Sequence, residues 1–303
     1  PYLAISAVER GVAAVVCGRD TPLPKQGPCI QVGDPKAAYA RAAAALHGNP
    51  QLRLKTIGVT GPFAAPVARL LHALLNATGR NTGFLGARQF IAGDWEVPLI
   101  SGTTDARDMY ERLARLTRLN ADVCVMELTD SMMASGVTAP IQFFEVLRTD
   151  GPGITASHNR ALTMSSIRWG ASETVMQLSC GLSRHQANTR VVGRTPVQCL
   201  LTALRALVQW GIDPVALLKA SGRIAPIPGQ LEVVPVDRPW TAMVDEASNP
   251  DSLRRALSEA RDLAAGRLIA VVGGSQRHSP EERRALGHVA GKLAHQVIVT
   301  THN

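Results

Sequence analysis

The stretch TIGVTGPFAAPVARLLHALLNATGRNTGFLG, residues Thr56 to Gly86, decides how this chain is read. Three apolar-tending residues, Ile57 to Val59, run into a glycine turn and then into a long amphipathic segment with leucines at helical spacing. A strand, a glycine turn and a helix in that order aim backbone N–H groups and the positive end of a helix at one point, which is how proteins hold a phosphate. Where such a loop needs glycine, lysine and a hydroxyl, this one has Ala64, Ala65, Pro66 and Val67.

Apolar strand-like runs alternate with amphipathic helical stretches along most of the 303 residues, the pattern of an α/β protein with a largely parallel sheet. GVAAVVCGRD, a Pro/Gly-rich turn, IQVGD and the alanine-rich PKAAYARAAAALHG make a first small α/β unit, with Asp34 as helix N-cap and Pro35 opening the helix. HGNPQLRL reads as a linker. The second region begins with KTIGVTG and passes through NTGFLG and the helix DARDMYERLARLTRLN. It then reaches ADVCVMEL, a buried strand ending at Glu127. IQFFEVLR reads as a further strand and ALTMSSIRWGASETVMQLSC as an antiparallel hairpin, before the helix VQCLLTALRALVQWG. The last region reads strand, strand, helix, strand, helix, strand, a βαβαβ set of parallel units. The expected domains are 1–47, 48–227 and 228–303.

Hydrophobic residues make up 46% of the chain, ample for buried cores, and no apolar run approaches the roughly 20 residues that cross a bilayer. The opening PYLAISAVERGVAAVV has no signal-peptide order and looks like the interior of a domain, so a longer N-terminus is expected. Lys and Arg outnumber Asp and Glu by 32 to 24, which favours anionic partners: a nucleotide-sugar, RNA or an acidic protein face. Aromatics at 4% leave few platforms for stacking bases, which counts against nucleic acid. The five cysteines (Cys17, Cys29, Cys124, Cys180, Cys199) have no C-x-x-C pair and mostly apolar neighbours, so buried thiols in a reducing compartment, cytoplasm or organelle interior, are expected and zinc is not.

Taken in order, LKTIGVTG, NTGFLG, TTDARD, ADVCVMEL, VVGRTPVQC, MVDEASNPDSL and HQVIVTTHN resemble the motifs of the Mur ligases, ATP-dependent amide-forming synthetases of peptidoglycan assembly. The likeness is greatest to the type that adds the third amino acid to UDP-N-acetylmuramoyl-dipeptide. The resemblance implies a small N-terminal α/β remnant of a UDP-sugar domain, a central P-loop-type domain for Mg-ATP, and a C-terminal Rossmann-like domain for the incoming amino acid. It also implies a reaction that passes through an acyl-phosphate, with phosphates held by backbone amides, a lysine and magnesium.

Against that pattern the site positions depart one by one. The family loop T-G-T-N-G-K-T-T reads here Thr60, Gly61, Pro62, Phe63, Ala64, Ala65, Pro66, Val67, with Ala65 in the lysine's place and Pro66 and Val67 in place of hydroxyls. Pro62 and Pro66 also lack N–H groups for a phosphate cradle. Phe63 and Val67 suggest a filled cleft. Glu127 is kept as a magnesium-side carboxylate, with Asp130 as a substitute oxygen donor and Ser131 where the family has histidine. Thr103 and Thr104 are kept at the substrate turn, and Asp245 in the C-terminal domain.

Thr195, Pro196 and Cys199 fill the adenine-facing asparagine pattern after Gly193 and Arg194. Glu246, Ser248 and Asn249 replace tyrosine, histidine and threonine, and Gly273 and Gly274 survive without the aspartates that follow them in the family. Between RTDGPG and ITASHN the chain lacks the stretch that carries the family's D-H-L-D motif and carbamylated lysine. His158, His185, His278 beside Arg277, and His302 read as solvated side chains with no nucleophile to activate. No catalytic residue and no cofactor are therefore expected. The function this points to is a binding or structural subunit of a larger assembly, or a regulator of a true ligase. The alternatives are an active amide ligase using Mg-ATP with Glu127, Thr103 and Thr104, and UDP-sugar binding without turnover.

Overall fold

The computed structural model describes residues 6–7, 10–21, 27–99, 105–149, 162–275 and 278–301. The chain divides into two compact units, Pro1–Ala68 with Arg80–Leu147, and Arg69–Gly79 with Arg148–Asn303.

In the first unit β1 (Val15–Gly18) pairs in parallel with β2 (Cys29–Val32). Helix α1 (Pro35–Leu46) follows, and the Asp34 carboxylate accepts from the N–H groups of Lys36 (2.9 Å) and Ala37 (3.1 Å). That N-cap and the opening proline are those the sequence predicts. The segment read as a linker is instead a short 3-10 helix at Pro50–Leu52, entered through Asn49 in the left-handed region, with Pro50 and Gln51 buried.

Beyond it come β3 (Lys55–Thr60), α2 (Ala64–Ala77), β4 (Thr82–Leu85), β5 (Gln89–Ala92), β6 (Trp95–Pro98), α3 (Ala106–Arg118), β7 (Val123–Glu127), the single-turn α4 (Asp130–Ala134) and β8 (Phe143–Arg148). They build one sheet in the order β6-β5-β4-β7-β3-β8. The strands β4, β7 and β3 run parallel at its centre. β5 and β6 extend it antiparallel, a mixed edge the sequence reading did not foresee.

Val123 to Met126 are all buried, as a strand covered on both faces requires. The core there joins Ala40, Ala43 and Ala44 of α1 to Met109, Tyr110, Leu113 and Leu116 of α3 and to Leu85 and Met126 of the sheet. Alanine on α1 lets the two helices approach closely. Each large side chain sunk there contributes about 1.5–3 kcal/mol.

The second unit holds an antiparallel sheet of β9 (Thr163–Trp169), β10 (Thr174–Cys180) and β11 (Ser183–Thr189), so the expected hairpin is present and gains a third strand. Helix α5 (Arg194–Gln209) is apolar nearly all round: from Pro196 to Leu207 every position but Gln198 and Arg205 is buried. It is followed by α6 (Pro214–Ser221).

The C-terminal elements appear in the predicted order: β12 (Glu232–Val234), β13 (Ala242–Val244), α7 (Pro250–Leu263), β14 (Ile269–Gly274), α8 (Pro280–Leu293) and β15 (Gln296–Thr301). Capping boxes start α7 at Asn249 and Ser252 and α8 at Ser279 and Glu282. Of these four strands, β14 and β15 pair in parallel. β12 and β13 form a separate antiparallel ribbon, where the sequence had suggested one parallel set.

Candidate functional site

The turn after β3 carries Thr60, Gly61, Ala65 and Pro66. Gly61 sits at φ +104, a conformation a side chain resists, and it reverses the chain into α2. The Ala64 N–H is spent on the Gly61 carbonyl (3.1 Å) and that of Val67 on the Phe63 carbonyl (3.2 Å). Pro66 and Val67 are buried and Phe63 half-buried, while the Ala65 methyl faces solvent. The turn therefore contains no cationic side chain and no side-chain hydroxyl after Thr60, and Pro62 and Pro66 bring no N–H. Mg-ATP, the cofactor the motif order implies, needs those groups at this turn, and the residues present do not fit it.

Glu127 ends β7 beside this turn, since Val59 and Glu127 are register partners and the Leu128 N–H donates to the Val59 carbonyl at 2.7 Å. Its Oε2 accepts from the Ala87 N–H at 2.8 Å, so the carboxylate anchors the chain leaving β4. Asp130 and Ser131 are exposed on α4. Among the described residues no three His, Cys, Asp or Glu side chains gather as a metal site would need. Thr103 and Thr104 lie outside the described residues. The adjoining Asp105 caps α3, accepting from the Arg107 N–H (2.8 Å) and the Tyr39 hydroxyl (2.8 Å). That last bond, with some burial, raises the Tyr39 pKa.

In the second unit the N-terminus of α5 is closed by a carboxylate. Buried Glu259 of α7 accepts from the Thr195 N–H (3.1 Å) and from the Thr195 hydroxyl. Gly193, at φ +91, gives the carboxylate room, because a Cβ there would meet Glu259 Oε2 at 2.8 Å. Arg194 adds an exposed ion pair with Asp262 at 3.0 Å. Asp245, after β13, accepts from the N–H groups of Leu231 (3.0 Å) and Ala247 (2.9 Å). Burial raises its pKa and those two bonds oppose the rise. Thus Thr60, Gly61, Ala65, Pro66 and Glu127 come together in the first unit, and Asp245 belongs to the second.

Residues 229–303 match the family model described as Mur ligase, glutamate ligase domain. A UDP-N-acetylmuramoyl-L-alanyl-D-glutamate--2,6-diaminopimelate ligase of Geobacillus kaustophilus is 24% identical over 355 residues, covering 98% of this chain and 72% of the relative. The chain is Mur-ligase-like.

A solved diaminopimelate ligase of the same designation superposes with a TM-score of 0.72 at 17% identity, over 100% of this chain and 73% of the other. Folylpolyglutamate synthase of Mycobacterium tuberculosis, solved with ADP, gives 0.64 at 15% identity, over 88% and 85%. The fold of the Mur-ligase-like chain is accordingly that of the Mur ligases and folylpolyglutamate synthases. An alignment of 355 residues against a chain of 303 also means that the Geobacillus relative carries stretches with no counterpart here.

Of the histidines, His185 lies half-buried in β11, and His278 Nδ1 accepts from the Ser275 N–H at 3.3 Å, a local turn contact. His158, Arg277 and His302 lie outside the described residues. The expectation of uniformly buried thiols needs correcting: Cys17, Cys124 and Cys199 are buried, but Cys29 and Cys180 are half-buried. The sequence also missed that Cys17 and Cys29 meet, their Sγ atoms 3.2 Å apart. Their twelve-residue separation matched no spacing rule, and only the pairing of β1 with β2 brings them together. No helix among the described residues is long and apolar enough to cross a membrane.

Proposed function

We propose that this Mur-ligase-like protein has kept the ligase fold without its ATP chemistry, and acts by binding, as a subunit of a larger assembly or as a regulator of a true ligase. The observation that carries this reading is the turn at Gly61 to Val67, where an exposed alanine methyl stands in the lysine's position and two prolines interrupt the N–H cradle. A triphosphate there would meet no charge-assisted donor from the turn's own side chains, and such donors supply most of the affinity of such sites. Glu127 would then serve as an anchor for the β4 exit rather than as a magnesium ligand. The fold outlasts the site because the core rests on apolar patterning, whereas the chemistry rests on a few loop side chains. Residues 1–47, 48–227 and 228–303 would correspond to the UDP-sugar, nucleotide and amino-acid parts of a ligase. The net positive charge of +8 suits an acidic protein face, with RNA or a nucleotide-sugar as further anionic partners.

One observation favours the second reading, an active Mg-ATP-dependent amide ligase: Glu127 remains at the strand end beside the turn. The two readings separate in a single assay. The full chain is incubated with Mg-ATP, UDP-N-acetylmuramoyl-L-alanyl-D-glutamate and 2,6-diaminopimelate, the substrates named for its relatives. No phosphate release above the protein-free blank is expected. Release that requires both the UDP-linked peptide and the amino acid would establish the ligase.

A further inference from the structure

We propose that Cys17 and Cys29 are a dithiol pair that closes to a disulfide by exchange with a small-molecule disulfide, clipping β1 to β2. The pair is built by the strand register. Val15 lies opposite Cys29 and Cys17 opposite Gln31, so residues 15, 17, 29 and 31 share one face of the two-stranded sheet. Val16 and Ile30 take the other face, where they are 50% and 54% exposed. Two thiols two positions apart along a parallel pair are diagonal neighbours, and their sulfurs already touch at 3.2 Å. A disulfide needs a separation of about 2.05 Å, a closure of roughly 1 Å. The sheet that must accommodate it is a separate two-stranded one, not hydrogen-bonded into the six-stranded sheet. A ribbon of that size has little pairing to resist a small adjustment.

The two sulfurs differ in access, which orders the steps. Cys17 is 6% exposed and Cys29 half-buried, so Cys29 meets the reagent. Its thiolate attacks one sulfur of the small disulfide, whose other half leaves as a thiolate, and a mixed disulfide remains on Cys29. The Cys17 thiolate then attacks the Cys29 sulfur, forms the Cys17–Cys29 bond and expels the second small thiolate. Two protein thiols are oxidised, one small disulfide is reduced to two thiols, and the two protons lost by the cysteines pass to the released thiolates. Cys124 and Cys199 are shut off from this exchange by burial, which pushes both thiols up to about 12.

The test uses the full chain, treated with oxidised glutathione, quenched with iodoacetamide and mapped by mass spectrometry. The expected result is a cross-linked peptide pair holding Cys17 and Cys29, lighter by two hydrogens than the reduced pair, with loss of alkylation at both positions. Recovery of both cysteines fully alkylated, or of a lasting glutathione adduct on Cys29 in the unsubstituted chain, overturns the proposal. The order of attack has its own control. Cys17→Ser should accumulate the glutathione adduct on Cys29, whereas Cys29→Ser should leave Cys17 unmodified. An adduct on Cys17 in that second variant contradicts the assigned roles.

Discussion

The Glu259 carboxylate holds the first turn of α5 by accepting from both the backbone N–H and the hydroxyl of Thr195, a residue 64 positions away. Glu259→Ala strands both donors in a half-buried place, and should cost about 1–3 kcal/mol of unfolding free energy. Glu259→Gln keeps one acceptor oxygen and should cost less. Urea titration of the three chains checks the order. Equal midpoints would mean that solvent satisfies Thr195 without the carboxylate.

Asp245 makes stability depend on pH in a stated direction. Burial is the larger influence and raises its pKa above the ordinary 3.8. Where it is ionised, the folded state bears a desolvation cost that the unfolded chain does not. As pH falls through the raised folded value, the folded state takes up the proton first, and stability relative to Asp245→Asn should rise until the pH reaches 3.8. The measurement is the difference in unfolding free energy between the two proteins at neutral and mildly acidic pH. A difference that shrinks on acidification would mean that folding lowers the Asp245 pKa instead of raising it.

Thiol reactivity should sort by burial. With Cys124 and Cys199 pushed up to about 12, only ~0.01% of either is thiolate near pH 8, so both should resist iodoacetamide in the native chain. Half-buried Cys180 should react, and all five should react in urea. Mass spectrometry of the labelled protein counts them.

Restoring the lysine alone should not restore nucleotide chemistry. The Ala65 methyl faces solvent, so Ala65→Lys fits without a clash. Pro62, Pro66 and Val67 would still withhold the amides and hydroxyls. We expect no phosphate release above that of the unsubstituted chain. Measurable turnover by this single variant would show that one charge was all the turn lacked.

Much of the fold was legible because it is written in local chemistry. Asp34 followed by Pro35 marked the start of α1, and the unbroken apolar run of β7 marked a strand covered on both faces. The hairpin of β9 and β10 showed in its alternation. Less was legible where pairing is settled by tertiary contact. β5 and β6 are only four residues each, and their antiparallel extension of the sheet depends on β4 being there to receive them. The ribbon of β12 and β13 and the parallel pair of β14 and β15 draw on similar apolar residues, so direction could not be read from composition.

The candidate site divides the same way. Ala65 and Pro66 announced themselves by position in a motif. The Ala87 N–H on Glu127, the Thr195 bonds to Glu259 and the contact of Cys17 with Cys29 join residues far apart in the chain, and no local pattern encodes them.

Whether the turn at Gly61 holds a triphosphate is read by isothermal titration calorimetry of the purified chain with Mg-ATP. No binding heat beyond dilution is expected at ligand concentrations into the millimolar range. A saturable isotherm with one site per chain, weakened by a bulky substitution at Ala65, would contradict it.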